Sequence, residues 1–505
     1  MNRLVLLYQT INRTIQTRSN LILGSLILLG FLRQILVLLA YPPAHGADSM
    51  VYFLYAERFA GADILIGSET AYPFYPMLIW ASFYALGTIY VLIAIQFVMA
   101  VAIAPLYFAA LLPYQPIVAL ISAIVILFDF QTAIVFSFTS TEPIYIFLLA
   151  VTIWLCLKAL ADTQGTHPNY LLLLGLVVAL LVLTRPVGRF LVLPVLVLLL
   201  LKYRSLKPLL WISISFTLVI VAQIVLFQVF FREGDALASG DSMLAKIMIA
   251  NPQWVAVTNG ENSEVYLEAL NGCDDHLFYC ISEDSGSWEQ GMRVITGAAG
   301  ETAREHITDI VVAIFQNTNS FMKMSGQQYA GLDTPSQVQC SKTTYAEELS
   351  TRSGVMQTTW GWALPDFSEE TLRKISTSAQ RISVAMCPSA WLPNLTAEQW
   401  VDTFANTYRI LDRNSASLLY MIMLILVLVV GELRRRYFFP IALVGSFLLN
   451  HALISAIAFN VQPRYVLVTN PLRHILLVFL VFSLTTLLAQ GFDWLSGKGI
   501  KKAIG

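Results

Sequence analysis

A chain of 505 residues that is 57% hydrophobic and only 12% charged lies far from soluble domains, in which about a quarter of residues carry charge. The composition excludes a soluble globular protein and points to a polytopic membrane protein. The formal net charge of −1 conceals an uneven distribution, so local charge, and not the total, says which partners to expect; nucleic acid is not among them.

About 17 to 25 mainly apolar residues cross the roughly 30 Å hydrocarbon layer as a helix. Ten runs qualify: 20–40, 87–112, 116–136, 142–160, 169–184, 188–202, 208–230, 416–432, 438–458 and 467–489. The expected fold class is an all-α polytopic bundle of about ten transmembrane helices. Arg3, Arg13 and Arg18 precede the first run and no clean small-residue cleavage site follows it. It reads as a retained helix and not a removed signal peptide.

The first loop, 41–86, opens with HGADSMVYFLYAERFAGADILIGSETAYPFYP at 45–76. From Asp48, the residues Tyr52, Tyr55, Ala56 and Phe59 recur at helical spacing, which predicts a short helix with one aromatic face. Asp48 stands at its N-terminus, where it is either a cap suited to the helix dipole or a catalytic base. Val51 takes the position a capping box would fill with Glu or Gln, so the cap signal is ordinary.

Further along, Glu142 follows Thr141 at the entry to the fourth run, where it either caps the helix or orients an arginine or an acceptor. Asp129 and His451 lie in apolar surroundings, and ionisable groups within spans are functional candidates by default; a single buried partner would equally explain each. The stretch Thr184-Arg185-Pro186-Val187-Gly188-Arg189 is either a tight turn or an intramembrane break. Cys156 sits alone on a span, as a packing residue.

Cationic residues beside spans orient the bundle. With a cytoplasmic N-terminus, ten spans place Lys158, then Lys202, Arg204 and Lys207, then Arg434, Arg435 and Arg436, and finally Lys498, Lys501 and Lys502 on the cytoplasmic side. Both termini are then cytoplasmic in a multi-pass protein of the cell membrane. The loops 41–86, 137–141, 185–189, 231–415 and 459–466 fall on the opposite face.

Three parts follow: 1–230 with seven spans, the polar block 231–415 as an extracytoplasmic domain, and 416–505 with three more. The polar block contains Cys273, Cys280, Cys340 and Cys387. Four cysteines in a domain outside the cytoplasm point to two disulfides, with three pairings open. No Cys-x-x-Cys pair occurs there, and no metal ligand is assigned. Residues 294–323 are apolar at helical spacing, with Ile307, Ile310, Val311, Ile314 and Phe315. That helix either lies in the membrane interface or packs as an ordinary amphipathic domain helix. Trp360, Trp362 and Trp391 form either a sugar-stacking surface or core and interfacial anchors. No phosphate-binding glycine loop is present.

Four stretches carry a resemblance. The aspartate after the first span with AYPFYPMLIWASFYALG (71–87) resembles the first extracytoplasmic loop of the C-type membrane glycosyltransferases, the GT-C superfamily. The likeness is to bacterial relatives of the protein mannosyltransferases, those of family 39 type. SFTSTEPIYIFLLAVTIWL (137–155), TRPVGRFLVLPVLVLLL (184–200) and NVQPRYVLVTNPL (460–472) are similar to segments that follow in the same order in that superfamily. Ser49 stands where many relatives carry a second acidic residue, which argues against a paired-carboxylate or metal-dependent variant.

The resemblance implies a GT-C bundle with an inserted extracytoplasmic domain, moving a sugar from a polyprenyl-phosphate lipid to an extracytoplasmic glycan, lipid or protein hydroxyl with inversion. Asp48 is then the base, and Arg185, Arg189 and Arg464 hold the phosphate, since arginine forks suit phosphate. Tyr52, Tyr72, Glu142 and Tyr465 complete the expected substrate site. The lipid-linked sugar is a donor substrate, so no cofactor is expected. Two rivals stand beside this reading: a non-catalytic GT-C-like scaffold in a larger membrane complex, and a transporter or flippase. Against the last, neither half-chain symmetry nor matched broken spans are evident.

Overall fold

The computed structural model describes residues 2–40, 44–45, 52, 56, 59, 73–86, 90–162, 168–231, 254, 258–272, 288–323, 431–457 and 466–495. Helix α1 (Asn2–Thr17) precedes α2 (Ser19–Ala40), which leads to strand β1 (Ala44–His45). Next come α3 (Phe74–Ile79) with a π turn (Trp80–Ala85), α4 (Tyr90–Leu111), α5 (Pro116–Leu127), the short α6 (Phe130–Val135), β2 (Phe138–Thr139) and α7 (Thr141–Ala161). After α8 (Pro168–Thr184), a 3-10 turn (Pro186–Leu191) leads into α9 (Val192–Tyr203) and α10 (Lys207–Phe231). The polar block contributes α11 (Glu261–Gly272), α12 (Trp288–Glu305) and α13 (Ile307–Lys323), followed by α14 (Gly431–Ile457) and α15 (Asn470–Leu495). Tyr52, Ala56 and Phe59 are helical, with Ala56 buried, in keeping with the spacing read from the first loop.

Among the described residues, five helices are long and apolar enough to cross a membrane: Ser19–Leu39, Val91–Leu111, Thr141–Ala161, Lys207–Val225 and Tyr437–Ile457. Four more, Pro116–Leu127, Pro168–Thr184, Val192–Tyr203 and Asn470–Thr485, are apolar but shorter. The expected run at 416–432 falls almost wholly outside the described residues. Helices α7 and α14 occupy the centre, with 72% and 67% of their apolar windows buried, whereas α10 is peripheral at 17%. Helix α7 packs on α4 and α8, and α14 on α7, α9, α13 and α15. Gly175 lets α8 approach α10 so closely that a Cβ there would collide with the Ile212 backbone, the usual role of small residues where apolar helices cross.

The expected continuous helix 116–136 is broken. Helix α5 stops at Leu127, and Asp129 caps the new helix α6, accepting hydrogen bonds from the Thr132 backbone N–H (3.1 Å) and hydroxyl (2.6 Å). Apolar periodicity does not register such a break, because the residues on both sides remain apolar. Every residue from 129 to 146 is buried, so the carbonyls freed by the irregular backbone need partners inside the protein. Side chains from two helices supply them: Arg33 Nη1 donates to Leu127 O (3.2 Å), Gln34 Nε2 to Ala133 O (3.3 Å) and Gln96 Nε2 to Phe138 O (2.8 Å). Strand β1 adds a parallel pairing, Ala44 opposite Phe138 and His45 opposite Thr139.

In the polar block, α12 covers the start of α11. The Glu301 carboxylate accepts the backbone N–H groups of Asn262 (3.3 Å) and Ser263 (2.9 Å) and their side-chain donors. An anion at a helix N-terminus satisfies orphan donors and suits the dipole. Burial alone would raise the Glu301 pKa, yet the hydrogen bonds from Asn262 and Ser263 together hold it below its ordinary value. Cys273, Cys280, Cys340 and Cys387 and Trp360, Trp362 and Trp391 lie outside the described residues; Cys156 is buried with a free thiol.

Gln96→Leu removes the side-chain donor to the buried Phe138 carbonyl, which keeps the Ser140 backbone N–H, and should cost about 0.5–1.5 kcal/mol, read as a lowered unfolding midpoint in detergent; an unchanged midpoint would show that this contact does not stabilise the break. The Glu301 contribution is present above the ordinary glutamate range of about 4.3 and fades as pH falls through the lower folded-state value. Proteolytic protection of α11 should therefore drop in acid, and Glu301→Gln should flatten that dependence; identical pH profiles for the two proteins would dismiss the charged cap.

Candidate functional site

The site is built at the start of α7, and its centre is an ion pair. Glu142 Oε1 lies 2.7 Å from Arg185 Nη1, with only 3% and 7% of the two side chains exposed. Local sequence explains how each partner is held. Glu142 sits in the first turn of α7, where Pro143 needs no backbone N–H. Arg185 is extended (φ −154°, ψ 145°) because the following Pro186 disfavours the helical region. The 3-10 turn then starts on that proline, and Gly188 lies so close to Leu181 that a Cβ would clash with its backbone. The stretch 184–189 is therefore a break between α8 and α9, and it aims the Arg185 guanidinium at Glu142.

Around this pair, α14 closes the site. Asn450 Nδ2 donates to Val187 O (3.0 Å), tying the 3-10 turn to α14. His451 lies between two oxygens, with Nδ1 2.7 Å from Phe447 O and Nε2 2.8 Å from Tyr145 Oη. A carbonyl can only accept, so Nδ1 carries the proton and Tyr145 donates to Nε2. Tyr145 is thereby fixed one turn from Glu142, and its ring centre lies 6.0 Å from Arg185 Cζ, at the edge of cation–π range.

The first loop reaches the same place. Tyr52 Oη is 3.4 Å from Thr141 Oγ1, and its ring meets that of Tyr75 edge-on at 5.2 Å. Two buried hydroxyls here, Tyr75 Oη and Ser140 Oγ, make no hydrogen bond among the described residues. Buried polar groups ordinarily find a partner, so these are open to a ligand's oxygen atoms.

Of the residues expected from sequence, Glu142, Arg185 and Tyr52 therefore meet around the start of α7. Glu142 faces an arginine, one of the alternatives open for it. Arg189 lies in the 3-10 turn with its side chain outside the described part. Asp48, Tyr72, Arg464 and Tyr465 also lie outside the described residues, although the described neighbours of Asp48, His45 and Tyr52, contact residues 138–141. Sequence reading missed Tyr145, Asn450, Tyr75 and Ser140. Tyr145 carried a signal, since it falls three residues after Glu142 on one helix face, and Tyr75 lies within the quoted stretch 71–87; Asn450 carried none, because its role comes from elements distant in the chain. Among the described residues, no three His, Cys, Asp or Glu side chains gather as a metal site.

Asp129 and His451, open candidates in the sequence, each have buried partners. Besides capping α6, Asp129 Oδ2 lies 3.7 Å from His474 Nδ1 on α15. A scan of the chain against protein-family models finds no match, and a search of curated proteins finds none. The residues and their geometry therefore carry the functional reading.

The buried pair makes a sharp thermodynamic expectation. Glu142→Ala leaves a buried guanidinium without its carboxylate and should cost about 3–5 kcal/mol, whereas Glu142→Leu with Arg185→Met removes both charges and should cost far less. Denaturation midpoints of Glu142→Leu, Arg185→Met and the double variant form the measurement; additive losses would mean the two side chains do not interact.

Proposed function

We propose that the protein is an integral-membrane glycosyltransferase of GT-C type, which moves a sugar from a polyprenyl-phosphate carrier onto an extracytoplasmic hydroxyl with inversion. The observation that carries this reading is the buried Glu142–Arg185 pair, with His45 and Tyr52, which flank Asp48 in the chain, in contact with the adjoining residues 138–141. A guanidinium has five N–H donors in a planar fork. Glu142 meets that fork at Nη1 (2.7 Å) and holds its plane, and such a fork matches the oxygens of a phosphate. Tyr75 and Ser140 supply hydroxyls for the donor sugar or the acceptor.

In this reading the acceptor oxygen attacks the anomeric carbon as the bond to the carrier phosphate breaks. The Asp48 carboxylate takes the hydroxyl proton, and the lipid phosphate leaves with the bonding electrons, its charge held by Arg185. General-base assistance is worth about 10²–10⁴ in rate. Both termini are cytoplasmic, and the site opens to the opposite face. One observation favours the scaffold reading: the ion pair is closed and almost fully buried, as a purely structural pair would be.

Purified protein in liposomes, supplied with lipid-linked sugar and a hydroxyl acceptor, separates the two. Asp48→Asn keeps a cap's acceptor oxygen but cannot take up a proton, so transfer should fall by about two orders of magnitude at an unchanged unfolding midpoint. Transfer at the parent rate would reduce Asp48 to a cap, and no transfer by the parent with any lipid-linked sugar would leave the scaffold.

A further inference from the structure

Helices α12 and α13 both belong to the polar block and both carry an apolar side, yet only one has that side covered. On α12, Ile295, Ala298 and Ala299 are buried, and the helix packs against α11. On α13 the apolar arc is wider than its partners cover. One flank, with Ile310 and Phe321, is buried. The adjoining flank presents Ile307, Val311 and Phe315 at i, i+4 and i+8, with Val312 beside them, exposed at 56%, 43%, 71% and 48%. Phe315 is the most exposed large apolar side chain among the described residues.

The position of α13 says what adjoins that flank. Asn317 Nδ2 reaches Ala456 O (3.5 Å), at the last turn of α14, and Arg473 Nη2 donates to Phe321 O (2.9 Å) from the first turn of α15. Residues 458–469 join those two helix ends, so α13 is fastened at one end of the membrane-spanning bundle. Arg473 Cζ also lies 5.6 Å from the Phe321 ring centre, a second hold at the same place. Elsewhere in this molecule, strings of exposed apolar side chains lie on α2 and α10, both long and apolar enough to cross a bilayer.

We infer that α13 is a membrane-interface helix whose Ile307–Val311–Phe315 stripe is covered by lipid. The polar side, with Asp309, Gln316 and Ser320, faces water, as in helices that lie at the boundary between headgroups and acyl chains. The inference rests on the membrane reading of the bundle and not on catalysis. It gives the polar block a fixed attachment to the bilayer beside the α14–α15 connection. The partner is a lipid surface, with its apolar boundary meeting the stripe.

Phe315→p-benzoylphenylalanine in the full-length protein, reconstituted in phosphatidylcholine–phosphatidylglycerol vesicles and irradiated, tests this by mass spectrometry of the peptide containing residue 315. Phospholipid adducts are expected there, and at the same substitution of Val311, several-fold above those at Gln316. Adducts joining two copies of the chain would make the stripe an oligomer contact and overturn the inference. Adducts to another peptide of the same chain would make it an internal contact and overturn the inference equally. Equal lipid labelling at positions 311, 315 and 316, or none, also overturns it. Lipid adducts in protein that transfers no sugar would uphold it while the catalytic reading fails.

Discussion

A backbone that leaves helical geometry inside an apolar bundle has no water to satisfy its carbonyls, and the centre of this molecule is organised around that constraint. The chain breaks after Leu127 and does not regain a long helix until Thr141. Each freed carbonyl left unpaired would carry a desolvation penalty of about 1–3 kcal/mol. Arg33 donates to Leu127 O, while Gln34 and Gln96 add side-chain donors to Ala133 O and Phe138 O, which also accept the Phe136 and Ser140 backbone N–H groups, and the short β1–β2 pairing joins at residues 138 and 139. These polar residues on α2 and α4 are thus explained without invoking any ligand. The same pairing pulls the entry of the first loop against the start of α7, so the solution to a backbone problem also assembles the candidate site.

Charge burial obeys a related economy. An isolated ion in an apolar interior is prohibitively unfavourable, and even a pair is retained only where geometry is good. Glu142 and Arg185 meet at 2.7 Å, and each is presented by an element end that is held by proline. His451 avoids the problem by remaining between a carbonyl and a tyrosine hydroxyl, where a neutral imidazole satisfies both. Asp129 is handled differently, by hydrogen bonds from its own helix cap and by the neighbouring His474. The three groups look alike in sequence, as single ionisable residues in apolar surroundings, but the structure gives each a different set of partners.

The polar block follows the rules of helices in water up to the point where it touches the bundle. Helix α11 is capped by a carboxylate from α12, and their apolar sides are mutually covered. Helix α13 departs from that pattern because part of its neighbourhood is the end of α14 and α15. An amphipathic helix in such a place meets two media at once, and its apolar arc is wide enough to serve both.

Composition and hydropathy by themselves determined that the chain is helical and built for an apolar medium, because helices that satisfy their own backbone are the natural spanning form for apolar runs of this length. They also singled out Glu142 and Arg185 as chemistry-bearing residues at the ends of apolar runs. What the linear order could not contain was the pairing of residue 142 with 185, of 145 with 451, of 187 with 450 and of 44–45 with 138–139, since each joins separate elements. The break at Phe128–Asp129 was hidden for another reason: buried helix and buried irregular backbone draw on the same apolar residues. Only the tertiary structure decided between them, because only there do Arg33, Gln34 and Gln96 arrive to hydrogen-bond the carbonyls that a continuous helix would have satisfied alone.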